Sequence, residues 1–201
     1  MKSVITISRQ YGSGGRFIAK LLAEKLGIPY YDNELITMAA KESGYSEAIF
    51  EKAEQLSTHS FLYSLSMFGS TDGIYGLPLA DKVYIAQSEI IKKCALEGPC
   101  VIVGRCSDYV LKDFDNVLNF FIYSDEKSKI ERAVKYYGLD ADKAAGELKK
   151  KDKKRANYYN YYTSQNWGGY DNYHLSINSD AVGIEATVEL LASYVKAYDN
   201  K

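Results

Sequence analysis

Ile5-Thr6-Ile7-Ser8-Arg9-Gln10-Tyr11-Gly12-Ser13-Gly14-Gly15-Arg16 is the stretch whose reading decides the fold. The β-branched run Val4-Ile5-Thr6-Ile7 at its start predicts a buried strand. A glycine cluster follows, and then Phe17 to Leu26, in which Phe17, Ile18, Leu21, Leu22 and Leu26 are expected on one apolar helical face. Strand, glycine turn and helix together make an anion cradle. The first N–H groups of a helix lack partners and point into the turn, and the helix dipole adds positive potential there. Gly12, Gly14 and Gly15 let the chain curve tightly and let an anion approach the backbone, and Ser13 sits among them. The Walker A pattern ends Gly-Lys-Ser/Thr; this turn ends Gly14-Gly15-Arg16.

Outward from the turn, strand and helix patterns alternate. Gly27 ends the first helix, Ile28-Pro29-Tyr30-Tyr31 reads as a short strand, and Asp32 or Asn33 caps a helix through Ala39-Ala40. A further helix is expected from Ser46 to about Leu56, followed by loop and short pieces over 57–78. Helical spacing returns from Leu79 to about Leu96, and Gly98-Pro99 stops it. Cys100 to Gly104 is a continuous apolar run of the kind found in central parallel strands, and Val117 to Ile122 reads as the next buried strand. Helices are expected from about Ser107, over Asp125–Tyr137, and over Ala141 to about Asn157. A Tyr/Asn/Gly-rich stretch then precedes a last strand, Tyr173–Ile177, and a last helix, Gly183–Ala197. The order predicts an α/β fold, a parallel sheet with helices on both faces, and ligands at the carboxyl ends of the strands.

The 201 residues form one domain, with no internal repeat or linker. A net charge of -1 gives no reason to expect nucleic acid or a membrane as partner, and no apolar run approaches a membrane span. Cys94, Cys100 and Cys106 are odd in number and lack metal-ligand spacing, so a reduced, cytoplasmic protein is expected, and no residue is assigned as a metal ligand. His59 and His174 have no partner that indicates catalysis, and both read as structural.

Ile5–Leu26 with Asp32, Val101–Asp108 and Phe120–Ala133 together resemble the cytidylate-kinase-like group of the P-loop nucleoside monophosphate kinase superfamily. The string Ser8–Arg16 resembles the signature of a divergent branch. The resemblance implies the P-loop NTPase architecture over residues 1–201, with a helical acceptor-binding insert at about 33–78 and a lid-like basic helix at about 140–170. It implies an ATP-dependent phosphotransferase using Mg²⁺, with a nucleoside monophosphate, CMP first, as acceptor. Phosphoryl transfer asks a protein for positioning and positive charge, so arginines from several elements are the signal to seek.

In that comparison Gly15 falls at the P-loop lysine and Phe17 at the Mg²⁺-binding Ser/Thr. Arg9 and Arg16 flank the loop, and Arg16 either reaches the phosphates or lies on the outer face of the helix beside a carboxylate. Arg105 matches the arginine of a Gly-Arg-Asp motif that binds the acceptor, with Asp108 as its displaced aspartate or simply a favourable first-turn helix residue. Asp32 matches the aspartate of the acceptor site. Arg132 opens the lid or is a solvated helix arginine. Lys154 or Arg155 is the lid cation, in a run (Lys149–Arg155) that otherwise reads as a solvated face with one Glu147–Lys151 pair. The aromatics Tyr158–Tyr170 stack bases, pack the lid or form a homo-oligomer surface. The other readings are a nucleotide-binding protein of kinase fold with little turnover, a kinase for another small phosphate-containing acceptor, and an RNA-binding or oligomeric protein.

Overall fold

A computed structural model describes residues 2–44, 46, 48 and 77–201 of the chain. Nearly all of the helix expected from Ser46, nearly all of the 57–78 loop, His59 and much of the acceptor-binding insert lie outside the described residues.

The glycine turn joins β1 (Val4–Arg9) to α1 (Gly15–Leu26). β2 (Tyr30–Tyr31), α2 (Glu34–Ser43), α3 (Leu79–Glu97) and β3 (Val101–Val103) follow. Then come α4 (Ser107–Val110), β4 (Val117–Tyr123), α5 (Glu126–Tyr137) and α6 (Ala141–Thr163). β5 (Leu175–Asn178), α7 (Ser179–Val182) and α8 (Ile184–Asp199) complete the chain. The five strands form one sheet in the order β2-β3-β1-β4-β5, and every pairing is parallel. β1 is central: Ile5 pairs with Val101 on one side and Leu118 on the other.

Alternation along β1 divides the core. Ile5 and Ile7 join Val103, Phe120 and Ile122 under Ile18 and Leu22 of α1 and Leu191 of α8. Val4 and Ile102 face the other way, against Leu35 of α2 and Ile90 and Ile91 of α3. With both faces covered, β3 is apolar throughout, and the polar Thr6 of β1 and Asn119 of β4 are joined by a hydrogen bond of 2.7 Å.

Three expectations needed correction. Phe17 and Leu21 are exposed, at 44% and 38%, and the buried stripe of α1 is Gly15, Ile18, Ala19, Leu22 and Ala23. α1 carries apolar residues on two faces, and the face with alanines lets the helix approach the sheet. Neither candidate caps α2 with its side chain: Asn33 occupies the N-cap without a side-chain hydrogen bond, and the Asp32 carboxylate turns to arginines. α6 runs six residues past Asn157, to Thr163, and takes in much of the tyrosine-rich stretch. His174 lies just before β5, where its Nδ1 accepts a hydrogen bond from the Asn119 backbone N–H at 3.0 Å.

Candidate active site

The carboxyl ends of β1, β2 and β3 open into a cavity of about 390 Å³, closed on its far side by α6. Its floor is the glycine turn. Gly12 and Gly14 have φ of +80° and +78°, which only glycine adopts cheaply, and neither position has room for a side chain. A Cβ on Gly12 would stand 2.7 Å from the Lys129 carbonyl oxygen, and one on Gly14 would stand 2.5 Å from Ile184. Ser13 is buried and braces the turn: its hydroxyl donates to the Gln10 carbonyl at 2.8 Å, and the Gly15 N–H donates back to it at 3.3 Å.

Cations enter from four directions. Arg9 ends β1, Arg16 stands on α1, Arg105 follows β3, and Lys151, Lys154 and Arg155 descend from α6. Asp32 is the carboxylate lining the same cavity, 2.5 Å from the Arg16 Nε and 3.9 Å from an Arg9 Nη. Arg105 is aimed by an unusual backbone: Gly104, Arg105 and Cys106 all have positive φ, at +71°, +59° and +53°. Two consecutive non-glycine residues in that region cost about 1–2 kcal/mol each. Strain of this kind persists where the surrounding structure holds a side chain in a required place.

The electrostatics match the crowding. Burial, with Arg9 adding to it, lowers the Arg105 pKa to about 10 and the Arg155 pKa to about 9. Burial and then Lys151 lower Lys154. Burial also works against the charge on Arg16, but Asp32 and Tyr30 outweigh it and its pKa is raised. Asp152 lies 3.6 Å from Arg155, and six like charges around one cavity still favour an anion there.

α6 docks onto the glycine turn through several contacts. The Tyr11 N–H donates to Asp152 at 2.6 Å, Arg155 donates to the Arg9 carbonyl at 3.0 Å, and Lys151 lies over the Tyr11 ring at 4.8 Å. Lys151 is therefore not the partner of Glu147, which pairs with Lys150 at 3.8 Å. Residues 151, 154, 155 and 158 fall on one helical face, so Tyr158 joins the three cations in the wall. Trp167 completes that side, its indole N–H donating to Ser8 at 3.0 Å and its ring edge-on to Phe121. The i, i+3, i+4, i+7 spacing of that face is present in the sequence, but a helix ending near Asn157 would leave Tyr158 out.

Arg9, Gly12, Gly14, Gly15, Arg16, Asp32, Arg105, Lys154 and Arg155 thus meet in one place. Arg132 and Asp108 are placed elsewhere. Arg132 grips the turn from behind, donating to the Gly12 carbonyl at 3.1 Å and Ser124 at 2.8 Å, and pairing with Asp180. Asp108 is buried in α4 and accepts a 2.7 Å hydrogen bond from Tyr159; burial raises its pKa. The motif spacing in the sequence did not show on which side of the turn either side chain lies.

Counted from Gly14, the Walker pattern puts its lysine at Gly15 and its Ser/Thr at Arg16. Neither Arg16 nor Phe17 offers Mg²⁺ a hydroxyl, and Asp32 is engaged by two arginines. The loop side chains therefore do not fit the usual metal ligation. Among the described residues no helix is long and apolar enough to cross a membrane, and Cys94, Cys100 and Cys106 are free and buried.

Relatives share this architecture. A cytidylate kinase of Archaeoglobus fulgidus is 27% identical over 198 residues, covering 96% of this chain and 94% of that protein. A solved structure of an uncharacterized protein from Eubacterium ventriosum superposes with a TM-score of 0.72 at 27% identity, covering 97% of this chain and 99% of that one. Shikimate kinase from Bacteroides thetaiotaomicron shares the fold, with a TM-score of 0.56 at 15% identity over 98% and 99% of the two chains. The model of the cytidylate kinase-like family matches residues 4–181, and with it the glycine turn, the Arg105 turn and α6. A kinase-type phosphotransferase is what these relatives and this site support together, and the chain belongs to the cytidylate kinase-like family.

Proposed function

We propose that this protein transfers the γ-phosphoryl group of ATP to a nucleoside monophosphate, with CMP as the first acceptor to test. One observation carries the reading: six cationic side chains from β1, α1, the β3–α4 turn and α6 line one cavity above the glycine turn, with Asp32 as the carboxylate among its lining residues. Such a cavity suits several phosphate groups at once. The N–H groups of the turn and the first turn of α1 receive the donor phosphates. Arg105 and Asp32 hold the acceptor, and Lys154 and Arg155 of α6 screen charge on the group in transit and exclude water. CMP is chosen because the curated relative from A. fulgidus is named a cytidylate kinase. ATP enters as its Mg²⁺ complex, but none of these roles runs through the metal, since the loop has no hydroxyl at the pattern's position.

The test is ADP formation from ATP with and without each member of a nucleoside monophosphate panel. Turnover that depends on an added monophosphate, CMP above all, is expected; a folded protein inactive with the whole panel removes the acceptor assignment. A second reading, nucleotide binding with little turnover, is favoured by Gly15 standing where the pattern has its lysine. It predicts ATP binding without ADP release under the same assay.

A further inference from the structure

We propose that Arg9, at the end of β1, supplies the cation that the P-loop lysine supplies elsewhere, and that Gly15 and Gly104 are small in order to seat it. The proposal rests on the phosphotransferase reading. With the pattern's lysine at Gly15, its first glycine falls at Arg9. The chain has exchanged the two: arginine stands where the glycine belongs and glycine where the lysine belongs.

The structure ties the two positions together. A Cβ built on Gly15 would lie 2.5 Å from the Arg9 Cβ and 2.9 Å from its Cγ, so the two side chains compete for one volume. Beyond Gly15 the Arg9 side chain crosses Gly104, where a Cβ would strike its Nη1, and ends 3.9 Å from Asp32 in the cavity. Gly104 also has φ +71°, a conformation that already favours glycine. The Arg9 side chain is 16% exposed, and its Nε is buried without a hydrogen-bond partner. A buried donor of that kind costs stability until an acceptor arrives, and a phosphoryl group offers oxygens in the paired geometry that a guanidinium prefers. Burial lowers the Arg9 pKa despite Asp32, in keeping with a cation awaiting an anion. Arg16 differs in each respect. It is half exposed, and its Nε already lies 2.5 Å from Asp32.

In the transfer, an oxygen of the acceptor monophosphate forms a bond to the γ-phosphorus of ATP. The bond from that phosphorus to the β,γ-bridging oxygen breaks, and ADP leaves with the electron pair. Arg9 neither gives nor takes a proton; it screens charge on the γ-phosphoryl oxygens as the bonds exchange.

The test compares Arg9→Gly, Gly15→Lys, Arg16→Ala and two double variants, Arg9→Gly/Gly15→Lys and Arg9→Gly/Gly15→Met. Each is titrated with ATP by calorimetry, assayed for CMP-dependent ADP formation, and melted to compare stability. Arg9→Gly is expected to lose about 100-fold or more in kcat, the usual scale for one lost transition-state donor, and Arg16→Ala to lose less. Gly15→Lys alone is expected to lose activity through the collision. The lysine double variant should recover at least tenfold in kcat and in ATP affinity over Arg9→Gly. The methionine double variant, which fills the same space without charge, should recover neither. Equal rescue by methionine, ATP affinity undiminished in Arg9→Gly, or a greater loss in Arg16→Ala than in Arg9→Gly overturns the assignment. If Arg9→Gly fails to fold, the comparison of the two double variants still decides. Absence of turnover in the unmodified protein would count against the kinase reading, while the ATP titrations would still judge Arg9.

Discussion

Arg105 and Arg155 carry their charges in a place that resists them, since burial and the nearby Arg9 lower their pKa values to about 10 and about 9. A guanidinium keeps its charge in a protein, so burying these two favours negative charge nearby, and Asp152 lies 3.6 Å from Arg155. Asp32 pairs with Arg16 and Arg9. Asp108 is a buried carboxylate held by the Tyr159 hydroxyl together with the backbone N–H groups of residues 108 and 109. Tyr159 donates to it at 2.7 Å, and the same oxygen lies 3.0 Å from Gln165. Because the phenol has one proton, Tyr159→Phe leaves a buried carboxylate short of a donor. The expected cost is about 1–3 kcal/mol, read as a lower urea midpoint with an unchanged slope. An unchanged midpoint would show that Asp108 needs no such partner.

Among the elements, the glycine turn is held from below by α5 and α7. Arg132 of α5 donates to the Gly12 carbonyl, Ser179 of α7 donates to the Ser13 carbonyl at 2.7 Å, and Asp180 joins Arg132 to Ser124. Burial raises the Asp180 pKa, but hydrogen bonds from Ser124, Arg132 and the Asp125 N–H outweigh it, so the net shift is downward. A carboxylate with a depressed folded-state pKa contributes stability that is present above the unfolded value near 3.9. That contribution is lost as pH falls through the lower folded value. Arg132→Ala should cost about 1–3 kcal/mol, since the part-buried Asp180 loses its ion-pair partner and the Gly12 carbonyl loses a charged donor, and should flatten the acid limb of the stability profile. Denaturation at pH 7 and at pH 3 checks both; equal acid sensitivity in the variant and the parent would contradict the clasp.

The elements that position the site were legible for unequal reasons. β1, β3 and β4 are buried on both faces, so each is rich in β-branched and apolar residues and could be read directly, even with Thr6 and Asn119 interrupting β1 and β4. α6 was cut short because tyrosine and asparagine are indifferent helix formers. Tertiary contacts override that preference: Tyr159 on Asp108, Tyr162 donating to Asp81, and Tyr84 stacked on Tyr162 at 4.0 Å. Tyr159 and Tyr162 of that stretch pack, Tyr158 faces the cavity, and Tyr161 and Tyr170 are exposed. The competition between Arg9 and residue 15 for one volume could not be seen in the sequence, because it depends on how tightly the turn brings two residues six apart together.

At the scale of the whole molecule, a net charge of -1 conceals a strongly cationic cavity. Carboxylates elsewhere balance the total, so composition was silent about the polyanion that the site suits. Folding holds like charges together, and a ligand that neutralises them stabilises the native state. Pyrophosphate or ADP at 100 times its Kd should add about 2.7 kcal/mol, which for a chain of this size raises Tm by roughly 5–10 °C. Scanning fluorimetry over a range of added NaCl checks it, with part of the gain fading as salt screens the outer charges. No shift at millimolar pyrophosphate and ADP would contradict the anion site.

The kinase reading itself stands or falls on one assay: ADP released from ATP by the purified protein, measured with and without CMP and the other nucleoside monophosphates. ADP formed in step with a nucleoside diphosphate, and only when a monophosphate is present, is the predicted result. A folded, ATP-binding protein that releases no ADP above its ATP-only rate with any member of the panel would contradict it.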